Sequence, residues 1–491
     1  MRVFRRRGAA GAVTLTLAVA LVAVQQAPAS AVPKDEQYAE LLVKKVDGKN
    51  VKEHLVALQA IASANGNTRA AGTKGYDLSA AYVAQRLKAA GYKVTLDPIN
   101  FVEAWVENSP PVLQQTAPVN KTYVPNQEFF TFQPSPPGDV TAQVQAVDLT
   151  LPPTPAPSST SGCETSDFAG FVSGRIALIQ RGTCPFATKV RNAGFAGASG
   201  IIIFTEGQPG RTDAFPLDIG EWRAGIPMVF ASFAIGNELA ASPGTTVRLK
   251  VDSTLTLGTD TNVIAETKKG DPDNVVMVGA HLDSVPAGPG INDNGSGTAA
   301  ILETALQIGN FPVKNKVRFG FWAAEEIGLL GSDQYVEGLS AAERDRIRLY
   351  LNFDMVASPN YAYKVYDGDD SDATGAPAGP PGSAQIENQL TSFFDSRGLG
   401  HVGTDFDGRS DYGPFIAAGI PAGGIFTGAE GIKTAAEAAL FGGTAGVAYD
   451  VCYHQACDTI ANVNSTALDV NSDAIADSTA RFAFNLSSIP N

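Results

Sequence analysis

Residues 275–283 read Val275-Val276-Met277-Val278-Gly279-Ala280-His281-Leu282-Asp283, an apolar run that ends abruptly in an imidazole and a carboxylate. A short, unbroken apolar run of this kind predicts a strand buried on both faces. The pattern repeats. The run 317–322 leads into Ala323-Ala324-Glu325-Glu326, and the run 349–353 leads into Asp354. Between the first two, Ala300, Ile301, Thr304, Ala305 and Ile308 share one face of a helix. Strand-helix-strand alternation from Thr261 onward predicts an α/β sheet with helices on its faces. Ligands of open α/β sheets bind at the carboxyl ends of strands, so these polar groups are expected at one rim.

Upstream the chain changes character twice. Residues 51–92 are helical in pattern, with Leu78, Tyr82, Val83, Leu87 and Ala90 at three- and four-residue steps and Gly91 as a stop. After about Phe101 come short β-like runs and prolines (Pro134, Pro136, Pro137, then Pro152, Pro153, Pro155 and Pro157), which read as linkers or surface loops. Apolar runs at 176–179, 200–204 and 228–230 follow, with one helical segment at 187–198. The predicted architecture is one α/β domain interrupted by a smaller β-rich insertion.

The chain has 491 residues, 44 % hydrophobic and 18 % charged, the balance of a folded protein. A net charge of −14 excludes a nucleic-acid partner held by phosphate neutralisation. Residues 1–31 read as a secretory signal: Arg2, Arg5, Arg6 and Arg7, an apolar run at 12–24, then Ala29-Ser30-Ala31. That run is 13 residues long, short of the roughly 20 needed to span a bilayer. No later segment is long enough either, so no membrane association is expected. Outside the cell cysteines pair, and the four here fall into two close couples, predicting Cys163–Cys184 and Cys452–Cys457.

The four histidines are His54, His281, His401 and His454. His54 and His401 lack a partner pattern and read as surface residues. His281 and His454 join Asp283, Asp293, Glu325, Glu326 and Asp354. Imidazole and carboxylate without thiolate suit an open catalytic zinc site. Two metals need a bridging carboxylate, and Asp293 lies in the tightly shaped turn Asn292-Asp293-Asn294-Gly295-Ser296-Gly297. The doublet Glu325-Glu326 can give one carboxylate to a metal and leave the other as a general base. Singly, each element has an ordinary structural explanation: a helix cap for Asp354, a solvated helix start for the doublet. In order, each at a strand end, they point to chemistry.

His281-Leu282-Asp283-Ser284, residues 290–297, Ala324-Glu325-Glu326, Asn352-Phe353-Asp354-Met355, residues 408–411, residues 424–428 and Cys452-Tyr453-His454 resemble the secreted dizinc aminopeptidase family in its streptomycete leucine-aminopeptidase branch. The resemblance covers roughly residues 50–100 and 258–480. It implies a mixed eight-stranded sheet flanked by helices (the zinc exopeptidase fold). It also implies two zinc ions, one on His281 and Asp354 and the other on Glu326 and His454, bridged by Asp293. Glu325 would be the general base, Tyr453 the oxyanion donor and Asp283 the group orienting His281. Arg409 would lie near the substrate's amino end, and Met355 and Phe426 would line an apolar pocket. Asp469 and Asp473 match calcium-ligand positions in the family, but Lys45 stands where a third aspartate is expected, with Asp47 two residues away. Residues 174–179, 181–186, Lys189 and 194–204 resemble a protease-associated domain.

The expectation is a secreted, monomeric zinc aminopeptidase acting on peptides with a free N-terminus, large apolar first residues preferred. Its predicted parts are a signal at 1–31, a discontinuous peptidase domain at 32–103 and 256–491, and an insertion at 104–255 with its core at about 132–252. The alternatives are a carboxypeptidase, a single-zinc glutaminyl cyclase on the same fold, or a catalytically inert binding protein.

Overall fold

In a computed structural model of the chain, residues 33–218 and 225–490 are described. The predicted secretory signal lies outside the described residues. The run quoted first is the centre of a mixed sheet made from β1 (Lys93–Ala117), β2 (Thr246–Glu266), β3 (Asp271–His281), β4 (Asn315–Trp322), β5 (Ile347–Phe353), β6 (Lys364–Tyr366), β7 (Val402–Thr404) and β8 (Ala422–Phe426). Their order is β7-β6-β8-β5-β3-β4-β2-β1. β3 lies parallel to β4 and β5, and β5 parallel to β8. Alternate side chains of β3 serve different cores: Val276, Val278 and Ala280 join one, Val275 and Met277 the other. Both faces are covered, which is why the strand reads as continuous apolar sequence.

The first core is shared by helices α1 (Lys34–Val43), α2 (Gly48–Ala64), α3 (Lys74–Ala89), α4 (Gly295–Ile308) and, after α5 (Leu330–Gly338) in the chain, α6 (Ser465–Phe484). The helical stretch expected at 51–92 is two helices. Gly66 and Asn67 both take left-handed backbone, and Thr73 restarts the helix by accepting the Tyr76 N–H at 3.3 Å. His54 also departs from expectation. It is buried, with Nδ1 2.7 Å from the Tyr82 hydroxyl and Nε2 3.3 Å from Glu303. It belongs to the inward stripe Val51, Leu55 and Leu58 of α2, so helical position decides its burial. His401 keeps a partly exposed place, 3.3 Å from Asp395.

β1 and β2 are long. They pair antiparallel from Lys93 opposite Glu266 to Ala117 opposite Thr246, so a two-stranded ribbon runs where loops were expected after Phe101. Pro110 and Pro111 are accommodated at the register shift between Ser109 and Val112, where the ladder is already interrupted. The far end of β2 pairs with Gly138–Val147, and from there the sheet continues through Ile176–Gln180, Gly200–Phe204, Met228–Ala231 and Phe129–Gln133. The insertion's helix Phe186–Phe195 reaches back to α5 through Arg191, whose Nη1 lies 3.2 Å from Asp333.

Candidate metal centre

The polar groups that follow β3, β4 and β5 meet at one rim of the sheet. His281 ends β3, its carbonyl accepting the Thr298 hydroxyl at 2.6 Å. Its Nε2 is 3.2 Å from Asp293 Oδ1, 3.3 Å from Asp354 Oδ1 and 3.9 Å from Glu325. The other oxygen of Asp293 lies 3.2 Å from His454 Nε2, which is also 2.9 Å from Glu326. One carboxylate thus stands between two imidazoles, each with an acid of its own. Donor atoms of His281, Asp293 and Glu326 all lie within 4.8 Å of one another, as do those of His281, Glu325 and Asp354.

Backbone geometry aims these groups. Asp283, wholly buried, accepts the N–H groups of Glu325 and Glu326 at 3.1 and 3.2 Å and stands 3.5 Å from His281 Nδ1. It therefore ties the end of β3 to the end of β4. Ser410 donates to Asp354 Oδ2 at 2.7 Å. Ala324, Met355 and His454 take left-handed backbone, a strain of roughly 1–3 kcal/mol each that surrounding contacts must impose. Tyr453 and His454 sit in the short loop closed by Cys452–Cys457, and Cys163–Cys184 forms in the insertion.

The electrostatics call for a cation. Burial and the neighbouring Asp354, Glu326 and Asp411 carboxylates push Glu325 well above the usual carboxylate range, with His281 opposing. Burial and Asp293 push Glu326 up to about 7. Burial works against charge on His454, yet Asp293 and Glu326 raise it to about 10. Glu326 Oε1 and Asp354 Oδ1 are buried with no hydrogen-bond partner. Buried carboxyl oxygens without hydrogen-bond partners, set beside two imidazoles, fit divalent metal of the zinc type.

Beside the centre is a cleft of about 180 Å³ that includes Met355, Tyr366, Phe426 and Gly428. Its rim is more charged than the sequence suggested, with Lys364, Asp405, Asp407 and Glu430 among the lining residues. Arg409 pairs with Glu430 at 2.8 Å and donates from Nη2 to the Tyr453 hydroxyl at 3.1 Å. Asp473 is engaged by Arg397 at 2.7 Å, and Asp47 caps α2 by accepting the Lys49 N–H at 2.8 Å. Among the described residues Asp469 and Asp473 join no group of three ligand-bearing side chains; outside the centre such groups form only around Asp367.

Sequence reasoning missed Asp458. Its carboxylate accepts the backbone N–H groups of Asn292 and Asp293 at 2.8 and 2.9 Å, and Asn292 in turn donates to Asp450 at 2.7 Å. Its place one residue after Cys457, in the loop carrying His454, was the available signal.

A mixed sheet whose rim gathers two imidazoles and several carboxylates beside a cleft is the arrangement of a metallopeptidase. The chain belongs to peptidase family M28, whose family model matches residues 262–479, and it carries a PA domain, matched over 141–239. It is similar to an aminopeptidase of Pseudomonas aeruginosa, 49 % identical over 87 % of this chain and 79 % of that one. A probable leucine aminopeptidase 2 of Aspergillus oryzae is 44 % identical over 86 % of this chain and 81 % of its own. Among solved structures, a zinc aminopeptidase from Bacillus subtilis matches with TM-score 0.50 and 25 % identity, over 88 % of this chain and 94 % of that one. The protein is a metallo-aminopeptidase, with its PA domain inserted in the M28 domain.

Proposed function

We propose that this is a secreted zinc aminopeptidase that removes large apolar residues, leucine foremost, from the N-terminus of peptides. The observation that carries the reading is Asp293, whose two oxygens each lie 3.2 Å from a different histidine. His281 and Asp354 would hold one zinc, Glu326 and His454 the other, with Asp293 between them. A zinc pair, when bound, polarises the scissile carbonyl and makes water a nucleophile near neutral pH.

The chain's own residues do the rest. Glu325, buried beside His281 and not needed as a ligand, takes the proton of the attacking water and delivers it to the leaving amine. Tyr453 accepts from Arg409, which leaves its own O–H proton to donate to the oxygen of the tetrahedral intermediate. Asp283 fixes the ring of His281. Met355 and Phe426 offer the first side chain an apolar wall.

Secretion rests on the basic, apolar and small-residue character of residues 1–31 and on the two disulfides. Among the described residues no helix is long and apolar enough to cross a membrane. The domain division we adopt is 32–103 with 256–491 for the peptidase and 104–255 for the insertion, acting as a monomer.

The test is hydrolysis of leucine p-nitroanilide by the purified mature chain, before and after chelation and after zinc is restored, with an N-acetylated substrate alongside. Metal-dependent cleavage of the free-amine substrate alone supports the proposal. Cleavage of the blocked substrate, or activity that survives chelation, sinks it.

A further inference from the structure

His281 and Asp293 are joined by a segment with no regular secondary structure, residues 282–292, containing Pro286, Gly288, Pro289 and Gly290. A loop of this kind has no ladder to hold it, so its buried carbonyls need donors from elsewhere. Arg69 supplies them. It lies in the turn between α2 and α3, and its side chain is wholly buried. Nε donates to the Pro289 carbonyl at 2.8 Å, Nη2 to the Gly290 carbonyl at 2.6 Å, and Nη1 to the Leu282 carbonyl. The backbone adds two bonds: Arg69 N–H to Ser284 Oγ at 3.0 Å and Ser284 N–H to the Arg69 carbonyl at 3.3 Å. Gly290 is packed so tightly here that a Cβ would lie 2.3 Å from the Asp293 carbonyl oxygen and 3.3 Å from Arg69 Nη2.

Burying a guanidinium on carbonyls alone is expensive, and an apolar side chain would fill the space more cheaply. What the guanidinium alone offers is a rigid planar fork that reaches three carbonyls at once; a lysine ammonium cannot span them. Its charged neighbours are the acids of the centre, Asp283, Asp458, Asp293 and Glu326. The cation therefore lies close to these acids while its fork holds the loop that joins His281 to Asp293.

We propose that Arg69 is a positioning residue of the metal centre: by gripping residues 282, 289 and 290 it sets the placement of Asp293 relative to His281. The inference rests on the reading of His281 and Asp293 as metal ligands.

The experiment compares the mature chain with Arg69→Lys and Arg69→Met. Zinc affinity is measured by competition against a chromogenic chelator, kcat and KM on leucine p-nitroanilide, and folding by circular dichroism and melting of the metal-free protein. Both variants are expected to stay folded, to bind zinc about 10–100-fold more weakly and to lose kcat by a similar factor while KM stays within about threefold. Zinc affinity and kcat within about twofold of the parent in a folded variant overturn the proposal. Where only Arg69→Lys folds, that variant decides. Failure of both to fold also overturns it, because Arg69 would then be part of the folding core. A His281→Ala control separates the two readings: unchanged zinc binding there removes the ligand assignment itself, and the inference with it.

Discussion

Asp458 Oδ2 accepts the backbone N–H of Asp293 at 2.9 Å, across 165 residues of sequence. The bond joins the loop that carries His454 to the turn that carries the carboxylate between the two histidines. Asp458→Asn keeps the volume, but its amide can accept only one of the two N–H groups now received and turns a donor toward the other. Zinc affinity and kcat are expected to fall about 10–100-fold with the fold intact, read by chelator competition and steady-state kinetics. Parent-like zinc binding in Asp458→Asn would show that the turn holds its shape unaided.

Glu325→Gln removes a proton carrier without removing a proposed ligand. The expected result is a drop in kcat of about 10²–10⁴-fold, with zinc content unchanged by elemental analysis. A variant that retains the parent's turnover would take the general-base role away from Glu325.

The two disulfides should separate stability from activity. Cys452–Cys457 spans 5 residues and Cys163–Cys184 spans 21. Loop-closure entropy predicts losses of about 2 and about 3 kcal/mol on replacing each pair by serines. Activity should follow the opposite order, because only the shorter loop positions His454. Melting curves and kcat of the two double variants test this. Equal kcat in both would mean that the short staple does not position His454.

Asp260 gives a pH dependence with a definite sign. Burial, reinforced by the charge of Asp283 and opposed by the Gly72 N–H, pushes its carboxyl up to about 7 from 3.8. The folded state then binds more protons than the unfolded chain between those values, so this group lowers stability as pH rises from about 4 to 7. Asp260→Asn keeps an acceptor for Gly72 and removes the titration. It should match the parent near pH 4 and exceed it by roughly 2–4 kcal/mol at pH 8, measured by denaturant unfolding at both pH values. A pH-independent difference contradicts the assignment.

The strand ends were legible in the sequence because burial on both faces writes an unbroken apolar run, and a polar group directly after it stands out. Asp354 and the Glu325-Glu326 pair are visible for that reason. Asp458 and Arg69 were not, since they act through backbone N–H and carbonyl groups of distant residues, and no residue-type pattern records such bonds. His54 reads as a surface residue because no partner pattern marks it, yet its place on the inward stripe of α2 buries it. The charged rim of the cleft comes from Lys364, Asp405, Asp407 and Glu430, which only the folded chain brings to one opening.

The ribbon of β1 and β2 bears on how such a two-part enzyme could be assembled. Its strands are already neighbours where they leave the central sheet, Phe101 lying opposite Gly258. A tight hairpin turn could close them there and leave every pairing of β2 with β4 untouched. The PA domain is thus grafted at a point where chain can be gained, lost or exchanged without disturbing the register that aligns the strand ends leading into His281 and Glu325.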